Sequence, residues 1–138
     1  MVECSYHTTS AKGGKLLWTD IIVLQIPQNA KRDSSIWALR RGKEVIALLG
    51  GNSTDRNIRL ALDRVGTFHP MVQKLSYHGL GDIYFSAETH ARLKPATLVV
   101  SADSVHCGKT VQERMSALCK VGNSKLHHTY HGDFSLIF

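Results

Sequence analysis

Cysteine and proline are scarce, three of each among 138 residues, and neither falls into a pattern. Cys4, Cys107 and Cys119 are odd in number and form no CxxC pair, which excludes a complete disulfide framework and a zinc knuckle. That usage fits a reducing compartment, the cytoplasm or nucleus. Long hydrophobic runs are missing too. The longest, IIVLQI at residues 21–26, is far short of the roughly 20 residues that span a bilayer, so no transmembrane segment is expected. The opening MVECSYHTTSAKGGK contains no apolar stretch of the signal-peptide kind. With 43% hydrophobic residues and so few prolines, the chain is too apolar for disorder, and residues 1–138 are expected to form a single globular domain.

Acidic residues are in the minority as well. Eleven Asp and Glu stand against 17 Lys and Arg, a net charge of +6 with no basic low-complexity tail, so the surplus belongs to a folded surface. A positive potential of that kind draws in polyanions. The expected partners are nucleic acid or nucleoprotein, an anionic membrane surface, and further copies of the chain. The densest basic group is Arg40, Arg41 and Lys43; with Arg56, Arg59 and Arg64 it makes up the candidate anion-binding set. No RRM, KH or zinc-knuckle signature accompanies it, so nucleic-acid contact is expected to be electrostatic and weakly sequence-specific. Trp18, Trp37 and Tyr77 are available for stacking, although both tryptophans lie in segments apolar enough to read as core.

The pattern of apolar residues predicts an α+β fold, an antiparallel sheet with two or three helices packed on it. Residues 16–27 are apolar on both alternating faces and read as a central strand. After a loop with Asp33 or Ser34 as N-cap, residues 36–42 read as a short helix, with a hairpin turning at residues 41–43 as the competing reading. Residues 44–52 read as a buried strand closed by Gly50 and Gly51. In residues 54–65, Ile58, Ala61, Leu62 and Val65 share one helical face, with Gly66 as C-cap. Residues 71–88 alternate around a turn at Gly79 and Gly81, and residues 96–103 follow Pro95; both read as antiparallel strands. Thr110 and Glu113 have capping-box spacing for a helix that places Val111, Met115, Leu118 and Cys119 on one face and ends at Gly122. Residues 127–138 read as a closing strand. Two segments, from Lys74 and from Lys125, share a Lys-Leu start, a Tyr-His-Gly and a following Asp.

No catalytic or metal motif is complete, and neither a catalytic residue nor a cofactor is assigned. HCGKT, between a predicted strand and a predicted helix, has the setting of a phosphate loop, but Asp103 stands where that motif needs Gly. His127 and His131 have the H-x3-H spacing of zinc ligands, yet eleven residues separate Cys107 from Cys119 where a knuckle has two to four. The four would converge only through tertiary folding. His106 and Cys107 are sequence neighbours whose side chains point apart, and no GxSxG accompanies any serine. Six of the eight histidines lie between His78 and His131, which makes a pH-dependent change in assembly or anion affinity an expectation.

The expected order of elements resembles the folded core of rhabdovirus-type matrix proteins. The likeness covers roughly residues 15–138 as topology, and at residue level it rests on VIALLGGNS and the Tyr-His segment. It implies a non-enzymatic, self-associating virion protein lying between nucleocapsid and membrane. The chain departs from that pattern in having no Lys-rich arm and no PPxY or PTAP motif.

Overall fold

The computed structural model describes residues 2–12, 15–26, 34–42, 44–66, 68–81, 83–102 and 108–135, with the backbone alone for those up to Ser34 and for Val65. Seven strands form one sheet in chain order: β1 (Val2–Lys12), β2 (Lys15–Ile26), β3 (Ser34–Arg41), β4 (Glu44–Leu49), β5 (Val72–Lys74), β6 (Thr97–Val100) and β7 (Lys125–His128). The first four run antiparallel, and β4 to β7 run parallel. Helices α1 (Asp55–Val65), α2 (Ala87–Leu93) and α3 (Lys109–Gly122) lie in the connections between the parallel strands. The expected class, α+β with helices packed on a sheet, is present, with half of that sheet parallel.

Parallel neighbours cannot be joined by a tight turn, so each connection needs a crossover, and crossovers are right-handed almost without exception. Strands added in chain order by crossovers of one hand collect every helix on one face. The register identifies that face. Ala38, Leu48, Gln73, Leu98 and Leu126 form a lateral row across β3 to β7. Ile36, Ala38, Val45 and Leu48 pack with Ile58, Ala61 and Leu62 of α1 and Leu93 of α2. Leu98 and Val100 pack with Phe85, Met115 and Cys119 beneath α3.

Local signals explain much of this. Thr54 accepts the Asn57 N–H at 3.4 Å, and Gly66, at φ 88°, donates to the Leu62 carbonyl at 2.9 Å, so α1 is closed at both expected ends. Buried Asp55 accepts the Ser86 N–H at 2.8 Å and the Ser86 hydroxyl at 2.9 Å, tying the start of α1 to the cap of α2.

Several expectations are corrected. Residues 36–41 are strand, not helix, because their residues pair with both β2 and β4; the hairpin at Gly42, φ 59°, is the observed turn. Residues 71–88 form no antiparallel hairpin: β5 is three residues long, and Ser86 caps α2 through the Thr89 N–H at 3.2 Å. Strand β6 pairs in parallel on both sides. The Thr110–Glu113 capping box does not form. Helix α3 begins two residues earlier, with Gly108 as a cap that has no side-chain bond, and Glu113 instead approaches Lys109 at 3.7 Å. The closing strand ends at His128 in a 3-10 turn. Trp37 is 43% exposed rather than core, because its register places it on the face without helices.

Between α2 and α3, His90 is only 2% exposed, its ring edge-on to Phe85 at 5.8 Å, and Gly122 approaches so closely that a Cβ there would collide with His90 Nε2. Burial pushes the His90 imidazole below its usual value, offset only in part by the Leu118 backbone. His128 is lowered by burial and then by His131 and His127. Both rings therefore take up a proton less readily in the fold than in the unfolded chain, where they do so near the ordinary value of about 6.5. Stability is then complete above that pH and falls as pH drops through and below it. Thermal denaturation should give a flat melting temperature from pH 8 to 7 and a decline from 6.5 to 5, and His90→Leu should flatten that decline; an unchanged slope would refute the assignment.

Candidate functional site

In an open sheet with parallel strands, ligands bind beyond the carboxyl ends of the strands, where loops diverge and helix N-termini begin. Here four such ends lie side by side. Leu49 leads into residues 50–53, closed by a Ser53 N–H bond to the Gly50 carbonyl at 2.9 Å. Lys74 leads through Leu75 into a 3-10 turn, Ser76–Gly79. Val100 leads to Ser101 and Ala102, and His128 leads to a second 3-10 turn, Thr129–His131. The two Tyr-His-Gly segments thus occupy equivalent places, at the ends of β5 and β7.

Only the first is strained. Tyr77 (φ 40°, ψ 50°), His78 (φ 59°, ψ 14°) and Gly79 (φ 71°) are three consecutive left-handed residues. For each non-glycine residue this conformation costs about 1–2 kcal/mol. The surroundings hold it in place. Tyr77 donates its N–H to the Gly51 carbonyl at 3.1 Å, His78 Nδ1 bonds the Ser101 carbonyl, and Arg114 of α3 donates to the Gly79 carbonyl at 2.8 Å and to that of Phe85. One turn is therefore tied to the ends of β4 and β6 and to α3. Gly50 is required beside it, because a Cβ there would strike Ser76 Oγ.

The result is a small polar surface with one aromatic platform. The Tyr77 ring, 43% exposed, stacks on Tyr84 at 4.7 Å with 23° between the planes. The Ser101 carbonyl sets the orientation of the His78 ring. Ser53 and Ser76, each 1% exposed, have hydroxyls with no hydrogen-bond partner among the described residues. Thr129 Oγ1 accepts the Ala102 N–H at 3.2 Å, which ties the β7 turn to the loop after β6. Helix α3 starts on the same edge with no side-chain cap among the described residues; the Val111 and Gln112 N–H groups bond the Gly108 carbonyl at 3.0 and 3.1 Å, and those of Lys109 and Thr110 remain as donors.

The candidate anion-binding set is not gathered there. Arg40 and Arg41 end β3 beside the start of β4, at the opposite edge of the parallel strands; both are half-buried, and Lys43 lies outside the described residues. On α1, Arg56 and Arg64 are exposed, but Arg59 bonds Glu88 at 2.6 Å and Asp55 at 3.1 Å. Glu88 and Asp55 hold the Arg59 guanidinium above its ordinary value. Arg92 pairs with Asp63 at 2.9 Å, so this face alternates in sign. Cys119 is buried among apolar side chains and its thiol is pushed up by burial, the condition of an unreactive cysteine. Cys107, His106 and Asp103 lie outside the described residues. His127 Nε2 meets the Gly132 carbonyl at 3.0 Å, and the His128 and His131 rings meet edge-on at 5.9 Å. No group of three metal-ligating side chains converges among the described residues.

No protein-family model matches the chain, and no curated protein is detectably similar to it. Of the elements on which the matrix-core likeness was drawn, the Trp-bearing segment is a strand and the Tyr-His segment a 3-10 turn.

The left-handed turn makes a measurable claim. Ala at residue 78 keeps the conformational cost and loses the bond to Ser101, whereas Gly loses the bond but relieves the cost. In denaturant unfolding, His78→Ala should lose about 1–2 kcal/mol and His78→Gly should stay within about 1 kcal/mol of the parent. Equal losses would show that residue 78 is not left-handed in solution.

Proposed function

We propose that this chain binds single-stranded nucleic acid at the carboxyl edge of β4 to β7. The observation that carries this reading is the left-handed Tyr77–His78 pair, a strained conformation held by three neighbouring elements at the edge where open sheets bind ligands. Strain of this kind persists where it positions side chains for use. It presents the face of Tyr77, backed by Tyr84, as a platform for one base. His78 and the first amide groups of α3 supply contacts for phosphate. The net charge of +6 brings the polyanion in.

The contacts are to ring faces and phosphates, so binding is weakly selective for sequence and steep in salt. The reading is of a binding module. An assembly role of matrix type draws on a different feature, the sheet face that bears no helix.

Fluorescence anisotropy with a labelled single-stranded oligonucleotide tests the reading. Loss of one stacked base is worth about 1–3 kcal/mol, so Tyr77→Ala should weaken binding about tenfold or more, with affinity falling as salt rises. Arg40→Ala with Arg41→Ala should lower affinity less and reduce the salt slope. Full affinity in Tyr77→Ala, with the arginine pair carrying the loss, would move the interface to the opposite edge and refute the proposal.

A further inference from the structure

The sheet has a second face that no described helix covers, and a groove of about 680 Å³ lies on it. That volume is within the range of small-ligand pockets, about 300–1,000 Å³. The floor is a stretch of apolar sheet, Ala47 and Leu49 of β4, Val72 of β5 and Val99 of β6. The Phe134 ring forms one wall and touches the His127 ring of β7 at 5.2 Å. The groove is continuous with the carboxyl edge. Ser101 and Thr129 line it and also build that edge, Ser101 through the carbonyl that holds His78 and Thr129 through its bond to the Ala102 N–H. Lys74, a further lining residue, ends β5 and leads into the turn that carries Tyr77.

We propose that this groove takes a second base of the strand bound at the Tyr77 platform and favours a base that bears an amino group. The inference rests on the nucleic-acid reading above. Shape is the first argument for it. An apolar floor beside a phenyl wall suits a planar ring, and a base stacks on such a wall whatever its identity. Charge is the second. Lys74 and Asp133 line the same groove, and neither forms an ion pair among the described residues. Lys74, at the end of β5 nearest the Tyr77 turn, meets the phosphate that joins the two nucleotides. The Asp133 carboxylate can only accept hydrogen bonds. It therefore accepts from an exocyclic amino group, as carboxylates do from cytosine N4, and opposes the carbonyl that uracil carries at the same position. The groove thus adds one base-edge contact to the ring-face and phosphate contacts of the carboxyl edge.

Fluorescence anisotropy with labelled oligodeoxycytidylate and oligodeoxyuridylate of equal length tests the proposal, since the two bases differ only in the groups that Asp133 is expected to read. The parent should bind the cytosine strand about tenfold more tightly. Asp133→Asn, at an exposed position, should abolish that preference, because an amide can donate as well as accept. Phe134→Ala should weaken the cytosine strand about tenfold and bring the two strands to similar affinity, with an unchanged far-ultraviolet spectrum. Tyr77→Ala should weaken both strands alike and keep the preference, which separates the platform from the groove. Binding that depends on Tyr77 but shows no cytosine preference, or a preference that survives both Asp133→Asn and Phe134→Ala, would overturn the groove subsite and leave the edge reading standing. A parent that binds neither strand would remove both.

Discussion

Burial of the row Ala38, Leu48, Gln73, Leu98 and Leu126 beneath three helices is the interaction on which the rest of the molecule depends. A sheet built in chain order by crossovers of one hand has one covered face and one open face. The same geometry aligns the carboxyl ends of four strands on one edge. The core, the uncovered face and the edge that carries Tyr77 and His78 are three results of one topological choice.

The edge differs from the rest of the fold in its energetics. Elsewhere left-handed non-glycine residues are single helix caps, Lys94 and Asn123, and local signals agree with tertiary packing, as in α1, where Thr54, Gly66 and the buried stripe all indicate the same helix. At Tyr77 and His78 the local preference is overruled by ties to Gly51, Ser101 and Arg114. A conformation that costs free energy and is held from three sides positions side chains, here an aromatic face and an imidazole. The basic character of the chain acts at longer range. Its densest group, Arg40 and Arg41, stands at the opposite edge of the parallel strands, so it contributes to the field around the molecule rather than to the site.

How much of this was legible in the sequence differs from element to element. Helix α1 and strand β4 were plain because spacing and caps are local properties. Segment 36–41 was misread because its few residues fit either period, and only pairing with β2 and β4 decides between them. Strand β5 is too short to show alternation, so α2 behind it was absorbed into an imagined hairpin although Ser86 marks its start. Parallel pairing is not encoded in any single strand; it follows from where the helices fall. The Tyr-His-Gly repeat was visible as a pattern, but the left-handed backbone of its first copy was not, because positive φ is uncommon for any residue but Gly and Tyr gives no local signal for it. Arg40 and Arg41 were chosen for density, which measures charge along the chain and not its placement in space.

The account stands or falls on which edge of the sheet meets nucleic acid. Amide chemical shifts followed through a titration with a short single-stranded oligonucleotide answer this residue by residue. The predicted result is a contiguous set of shifts in residues 50–53, 76–81, 101–102 and 129–131 and at the start of α3. Shifts confined to Arg40 and Arg41 and the outer surface of α1, with residues 76–81 unmoved, would contradict it.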